Sequence, residues 1–164
     1  MESSINLKNA ETSKIVLSSS ISCYLYMPQQ LSPIDIVQIL LKGDNDFKPS
    51  LQASMDVNQY SEKLSLYAYV LLIYENQNFA GNVFYYVNPQ GFVYITHINI
   101  YTDYRHKNFG HILIQQIKSL HKTSTRIDLE VRKDNTYAYQ FYIREGFVVK
   151  ENRVEKYLMS LHLC

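Results

Sequence analysis

The stretch Ile95-Thr-His-Ile-Asn-Ile-Tyr-Thr-Asp-Tyr-Arg-His-Lys-Asn-Phe-Gly-His-Ile-Leu-Ile114 decides how the rest of the chain is read. Its opening residues are β-branched or aromatic and read as a strand ending near Tyr101. Further on, Phe109, Ile112, Leu113, Ile117 and Leu120 recur at helical spacing, so a helix begins near Gly110. Between the two, the backbone turns sharply within Arg105-His-Lys-Asn108-Phe-Gly110. Asn tolerates the left-handed region better than other non-glycine residues, and Gly enters it freely. Successive N–H groups at such a turn, added to the positive end of a helix dipole, make an anion site suited to pyrophosphate. Arg105 and Lys107 add charge, and a side chain larger than hydrogen at position 110 would block close approach. Taken alone, the loop is equally a plain helix start with solvated basic residues. It is neither a Rossmann fingerprint nor a P-loop, because GxGxxG and a glycine-led GK[ST] are both absent.

Outward from this loop the chain reads as alternating strands and helices. Leu66 to Glu75, Phe79 to Val87 and Phe92 to Tyr101 are strand-like runs joined by short polar turns, an antiparallel meander. Upstream, Ile15 to Tyr26 reads as one strand. Ser32-Pro33 reads as a helix start for an apolar face of Ile36, Val37, Leu40 and Leu41. A second helix is expected from Pro49-Ser50 to about Lys63. Downstream, Ile127, Leu129 and Val131 alternate with charged residues as in a strand. Asp134 or Asn135 then caps a helix carrying Ala138, Phe141 and Tyr142. Gly146 sits where a left-handed C-terminal residue belongs, with Phe147 after it. A hairpin ends the chain, its second strand from Val154 to Leu163. The order β-α-α-β-β-β-α-β-α-β-β defines a mixed α/β fold. Residues 1–14 are expected to be a flexible N-terminus and 15–164 a single domain.

Two motifs in this order and at this separation, Arg105-x-x-Asn108-x-Gly110 and the run from Val131 through Asn135, Ala138 and Tyr142 to Gly146-Phe147, resemble the GCN5-related N-acetyltransferase (GNAT) superfamily. The likeness extends in element order from about residue 15 to the end. Asn108 departs from that family's loop, which has glycine there. The resemblance implies a mostly antiparallel sheet whose fourth and fifth expected strands split apart, with a pantetheine arm in the cleft along Ile98 and Ile100. It also implies that the loop amides of Arg105, His106, Lys107, Asn108, Phe109, Gly110 and His111 hold the pyrophosphate of acetyl-CoA. Asn135 is implied to touch the pantetheine side, and Tyr142 to protonate the departing thiolate while an amine attacks the thioester directly. From helix position alone, Tyr142 equally suits a core tyrosine.

The base is open at this stage. No acid lies between Phe92 and Tyr101, which leaves His97, a water chain to Glu75 or Glu130, or a buried His97 that only bonds locally. The remaining histidines form no metal-like set, and no metal is assigned. A net charge of +1 gives no reason to expect nucleic acid or a membrane surface as partner. Cys23 and Cys164 form no zinc or redox spacing. Residues 1–14 lack the pattern of a signal peptide, so a cytoplasmic location is the default. The expected partner is a small-molecule amine, with monomer and homodimer both open. Tyr67, Tyr69, Tyr85, Tyr86 and Tyr94 are candidates for the wall of a compact acceptor site, and Asp44, Asp46, Asp56 and Glu62 for attracting a cationic amine. A noncatalytic acyl-CoA-binding module of the same fold is the alternative function.

Overall fold

Where the sequence suggests one strand from Ile15, the chain folds a hairpin of β1 (Ser13–Val16) and β2 (Ile21–Tyr26). The break is chemical. The Ser18 hydroxyl accepts from the N–H groups of Ser20 and Ile21, at 3.2 and 3.0 Å, and turns the chain within the serine run. The structure is a computed structural model and describes residues 7, 12–43 and 49–164. Most of the expected flexible N-terminus, and Asp44 and Asp46, lie outside the described residues.

Ser32 caps α1 (Pro33–Lys42) in a reciprocal capping box with Asp35, and Pro33 opens the helix as expected. The second expected helix divides into α2 (Leu51–Ser54) and α3 (Val57–Tyr67). Met55 is extended at φ −158°, and Asp56 starts a new helix by accepting from the Gln59 N–H at 3.1 Å. The meander follows as β3 (Tyr69–Glu75), β4 (Asn78–Asn88) and β5 (Phe92–Ile100). Then come a short 3-10 turn (Thr102–Tyr104), α4 (Phe109–Leu120), β6 (Arg126–Arg132), α5 (Thr136–Arg144), β7 (Val148–Asn152) and β8 (Lys156–His162).

The strands lie in one eight-stranded sheet, in the order β1-β2-β3-β4-β5-β6-β8-β7. The β5–β6 pair is parallel, whereas β1–β2, β2–β3, β6–β8 and β7–β8 are antiparallel. The fold is therefore mixed α/β with a mostly antiparallel open sheet, as expected.

The chain forms two compact units, residues 1–84 with 98–113 and residues 85–97 with 114–164. In the first, α1 packs on α3, and Cys23, Ile36, Ile39, Leu40, Leu64 and Leu71 are buried. In the second, Val93, Ile127, Leu129, Phe147 and Met159 are buried. The parallel ladder of that unit joins Val93, Tyr94 and Ile95 to Ile127, Asp128 and Leu129, and stops there. Both strands continue past its end, to Ile100 and Arg132. The fourth and fifth expected strands are β5 and β6 here.

Candidate active site

The turn from β5 into α4 is built from two left-handed residues, His106 and Asn108, each at φ 65°. Left-handed residues alternating with ordinary ones turn successive N–H groups toward one side, which is the arrangement that binds anions. The Asn108 carbonyl accepts the first helical bond, from the Ile112 N–H at 2.9 Å. The N–H groups of Phe109 and Gly110 thus head a helix that has no carbonyl to offer them, and its first turn carries no acidic residue. Gly110 lies inside the helix, not in the left-handed region. Of the two residues expected to take the left-handed region, Asn108 does and Gly110 does not, and His106 joins Asn108 in making the turn.

The charged residues of the loop are anchored from behind. The Arg105 guanidinium donates through Nε to the Ile100 carbonyl at 3.0 Å, tying the loop to the end of β5. The Lys107 ammonium meets the Glu75 carboxylate at 2.8 Å and lies 5.5 Å from the Tyr104 ring centre. Tyr104 stacks on Phe109, centroids 6.3 Å apart, at the start of α4. Ile98 and Ile100 are half-buried on β5, and His111 is half-buried in the first turn of α4. The site residues drawn from the first unit, Ile98, Ile100 and 105–111, are thus consecutive on one strand–turn–helix.

Asn108 supplies a test of this geometry. A β-branched residue in a left-handed conformation costs roughly 1–2 kcal/mol, whereas glycine adopts it without strain. Asn108→Gly is expected to keep CoA binding, and Asn108→Val to lose both stability and binding. Thermal melting and calorimetric titration check this; unchanged binding by Asn108→Val would show that the ligand does not read this backbone.

Sequence reasoning missed two glycines that shape the end of β5. A Cβ built on Gly81 of β4 would lie 2.6 Å from the Asn99 carbonyl oxygen and 3.1 Å from Ile100 Cα. One built on Gly43 would lie 2.0 Å from Asn99 Nδ2 and 2.8 Å from the Tyr101 ring. Both glycines lie against the same short stretch of strand: backbone blocks a side chain at Gly81, whereas at Gly43 the Asn99 and Tyr101 side chains would have to shift. A signal existed at Gly81, since an isolated glycine inside a strand marks close approach of another backbone. Around that stretch the side chains of Asn82, Asn99 and Tyr101 are buried, with Asn82 Nδ2 donating to the Tyr101 hydroxyl at 3.4 Å. The Lys42 ammonium lies 5.0 and 5.5 Å from the ring centres of Phe79 and Tyr101.

In the second unit, Tyr142 is positioned by the end of α5. Gly146 adopts φ 93°, its N–H donates to the Ile143 carbonyl, and the Phe147 N–H donates to the Tyr142 carbonyl, both at 3.0 Å. That is a Schellman ending, whose usual hydrophobic contact is here the Phe147 ring against Tyr142, centroids 5.5 Å apart. Tyr142 is buried, and burial pushes its hydroxyl well above the usual tyrosine range, so it stays protonated. Asn135 caps α5, its side-chain oxygen accepting from the Ala138 N–H at 3.1 Å. The side chain expected to touch the pantetheine side thus has its oxygen engaged in the cap.

His97 is buried on β5. The two carboxylates considered as alternatives to it are both ion-paired, Glu75 with Lys107 and Glu130 with Arg153 and Lys156. Among the described residues, no group of three or more His, Cys, Asp or Glu side chains is placed to hold a metal. No described helix is long and apolar enough to cross a membrane.

The sequence profile of the acetyltransferase (GNAT) family matches residues 37–147, a span holding both the loop and Tyr142. The chain belongs to that family. It is therefore an acetyltransferase. No curated protein sequence matches it. Among solved structures, the acetyltransferase is similar to the PaiA N-acetyltransferase of Thermoplasma acidophilum, in complex with coenzyme A. The two share 16% identity at a TM-score of 0.62, over 84% of this chain and 98% of that one. It is similar also to the ribosomal-protein-S18-alanine N-acetyltransferase of Escherichia coli, at 15% identity and TM-score 0.66, over 86% and 94%. A Bacillus anthracis protein described as a streptothricin acetyltransferase, in complex with acetyl coenzyme A, shares 23% identity at TM-score 0.54. That match covers 59% of this chain and 63% of that one, less than two thirds of the latter's length.

The proposed acceptor wall is not one surface. Tyr85 and Tyr86 are neighbours on β4 and so face opposite sides of the sheet. Tyr85 is fully buried, with its hydroxyl 2.9 Å from Nε2 of His121, while Tyr67, at the end of α3, is 62% exposed. Asp56, considered as a lure for cations, is engaged as the cap of α3.

Proposed function

We propose that this acetyltransferase moves an acetyl group from acetyl-CoA to the primary amine of a small molecule. The observation that carries the donor half is the loop 105–111, where two left-handed residues and a helix start meet Arg105 and Lys107. When bound, acetyl-CoA supplies the activated acyl group and a thiolate leaving group. The chain's own residues do the rest. The loop amides and Lys107 hold the phosphates, and the backbone of Ile98 and Ile100 lies along the pantetheine. Tyr142, kept protonated by burial, gives its proton to the departing sulfur. His97 takes the proton of the attacking amine, a role supported by the ion pairs that occupy Glu75 and Glu130.

The acceptor half is supported by the end of β5. Asn99 and Tyr101 are buried, and the backbone of Gly43 sits against the Asn99 side chain at the end of α1. A strand end covered in this way suits a compact acceptor better than an open peptide groove. Release of free CoA from acetyl-CoA, measured with amino sugars, polyamines and N-terminal peptides in parallel, tests the reading. A small amine is expected to give the highest kcat/KM. A preference for peptides of tenfold or more would overturn the acceptor class alone, and CoA binding without turnover on any amine would favour the noncatalytic module.

A further inference from the structure

Glu75 and Lys107 are 32 residues apart in sequence, and their ion pair is the point where β3 reaches the loop. Glu75 is the last residue of β3, directly opposite Ile21 in the β2–β3 ladder, so its backbone is fixed by the sheet. Lys107 stands between the two left-handed residues that shape the turn, with its ammonium 2.8 Å from Glu75 and close to the Tyr104 ring. Of the loop's two strong cations, Arg105 is tied to the Ile100 carbonyl, so Lys107 carries the charge best able to move. A bound pyrophosphate and the Glu75 carboxylate want the same ammonium.

We propose that Glu75 is a latch on the phosphate loop: it holds Lys107 in the unliganded enzyme and competes with the cofactor's phosphates for it, weakening CoA binding and hastening product release. The proposal rests on the reading of residues 105–111 as the phosphate site. Its size follows from exposure. The Lys107 and Glu75 side chains are 46% and 23% exposed, and ion pairs so placed are weak, so the phosphates win the contest at modest cost. Removing the carboxylate is expected to tighten CoA binding by about twofold to fivefold, the range such a pair's free energy spans. The gain should lie in slower dissociation.

The test is calorimetric titration of the full chain with CoA, for wild type, Glu75→Gln, Lys107→Met and the double variant, with inorganic pyrophosphate as a second probe. Glu75→Gln is expected to tighten both probes, Lys107→Met to weaken both, and the double variant to match Lys107→Met. That cancellation is a readout that general loosening of β3 would not produce. Glu75→Asp, one methylene shorter with its charge kept, should fall between wild type and Glu75→Gln and stands in if the latter melts early. Equal CoA affinity in wild type and Glu75→Gln would overturn the latch and leave the phosphate loop standing. Unchanged affinity in Lys107→Met, or no CoA binding by wild type, would overturn the loop reading and the latch with it.

Discussion

Tyr142→Phe is expected to lower kcat by about tenfold to about a thousandfold while leaving the KM for acetyl-CoA nearly unchanged. The hydroxyl matters when the sulfur departs and a proton must reach it, so its loss removes transition-state stabilisation and little ground-state binding. The substitution is structurally mild. Tyr142 is held by the Schellman ending of α5 and by the Phe147 ring, and both contacts survive loss of one oxygen. The wild-type pH profile carries the same information. Burial raises the Tyr142 pKa, so the acid stays protonated through the ordinary tyrosine range. No alkaline loss of kcat is expected near the ordinary tyrosine range, and such a loss would contradict a buried, protonated Tyr142. Unchanged turnover in Tyr142→Phe, measured with the best acceptor, would reduce the residue to a packing role.

Gly81→Ala is expected to be among the most destabilising of single-methyl additions in this chain. Its backbone is not in the left-handed region, so the conformation itself tolerates alanine. The cost is contact: the new Cβ would meet the Asn99 carbonyl oxygen at 2.6 Å and Ile100 Cα at 3.1 Å. These are backbone atoms of the neighbouring strand and cannot rotate away. Overpacking of this kind costs roughly 1–3 kcal/mol, and in a chain of this length each kcal/mol lowers Tm by about 2–4 °C. The displaced residues are those whose backbone is proposed to lie along the pantetheine, so CoA binding should fall together with Tm. A Gly81→Ala variant with wild-type Tm and wild-type CoA affinity would mean that β5 shifts there without consequence.

Much of this architecture is local and therefore legible in the sequence. Ser32-Pro33 caps α1 because a hydroxyl followed by a residue with preset φ suits a helix start wherever it occurs. Gly146-Phe147 ends α5 because only glycine enters the left-handed region at no cost. The strand–turn–helix from Ile95 to Ile114 follows from a switch in apolar period, and its family motif carried the donor assignment with it. The misreadings were local competitions resolved by single polar side chains: Ser18 breaks the first strand, and Asp56 divides the second helix.

What only tertiary structure decided is everything requiring two distant segments at one place. An isolated glycine at 81 marks a close approach without naming its partner, and Gly43 carries no mark at all, yet both lie against Asn99–Tyr101. The pairing of Glu75 with Lys107 joins a strand end to a loop 32 residues away. Tyr85 and Tyr86 look alike in sequence, but the pleat sends them to opposite faces and buries the first against His121. Period and capping act over a few residues and leave their mark in composition. Close approach, ion pairing and burial act through space, and no spacing along the chain encodes them.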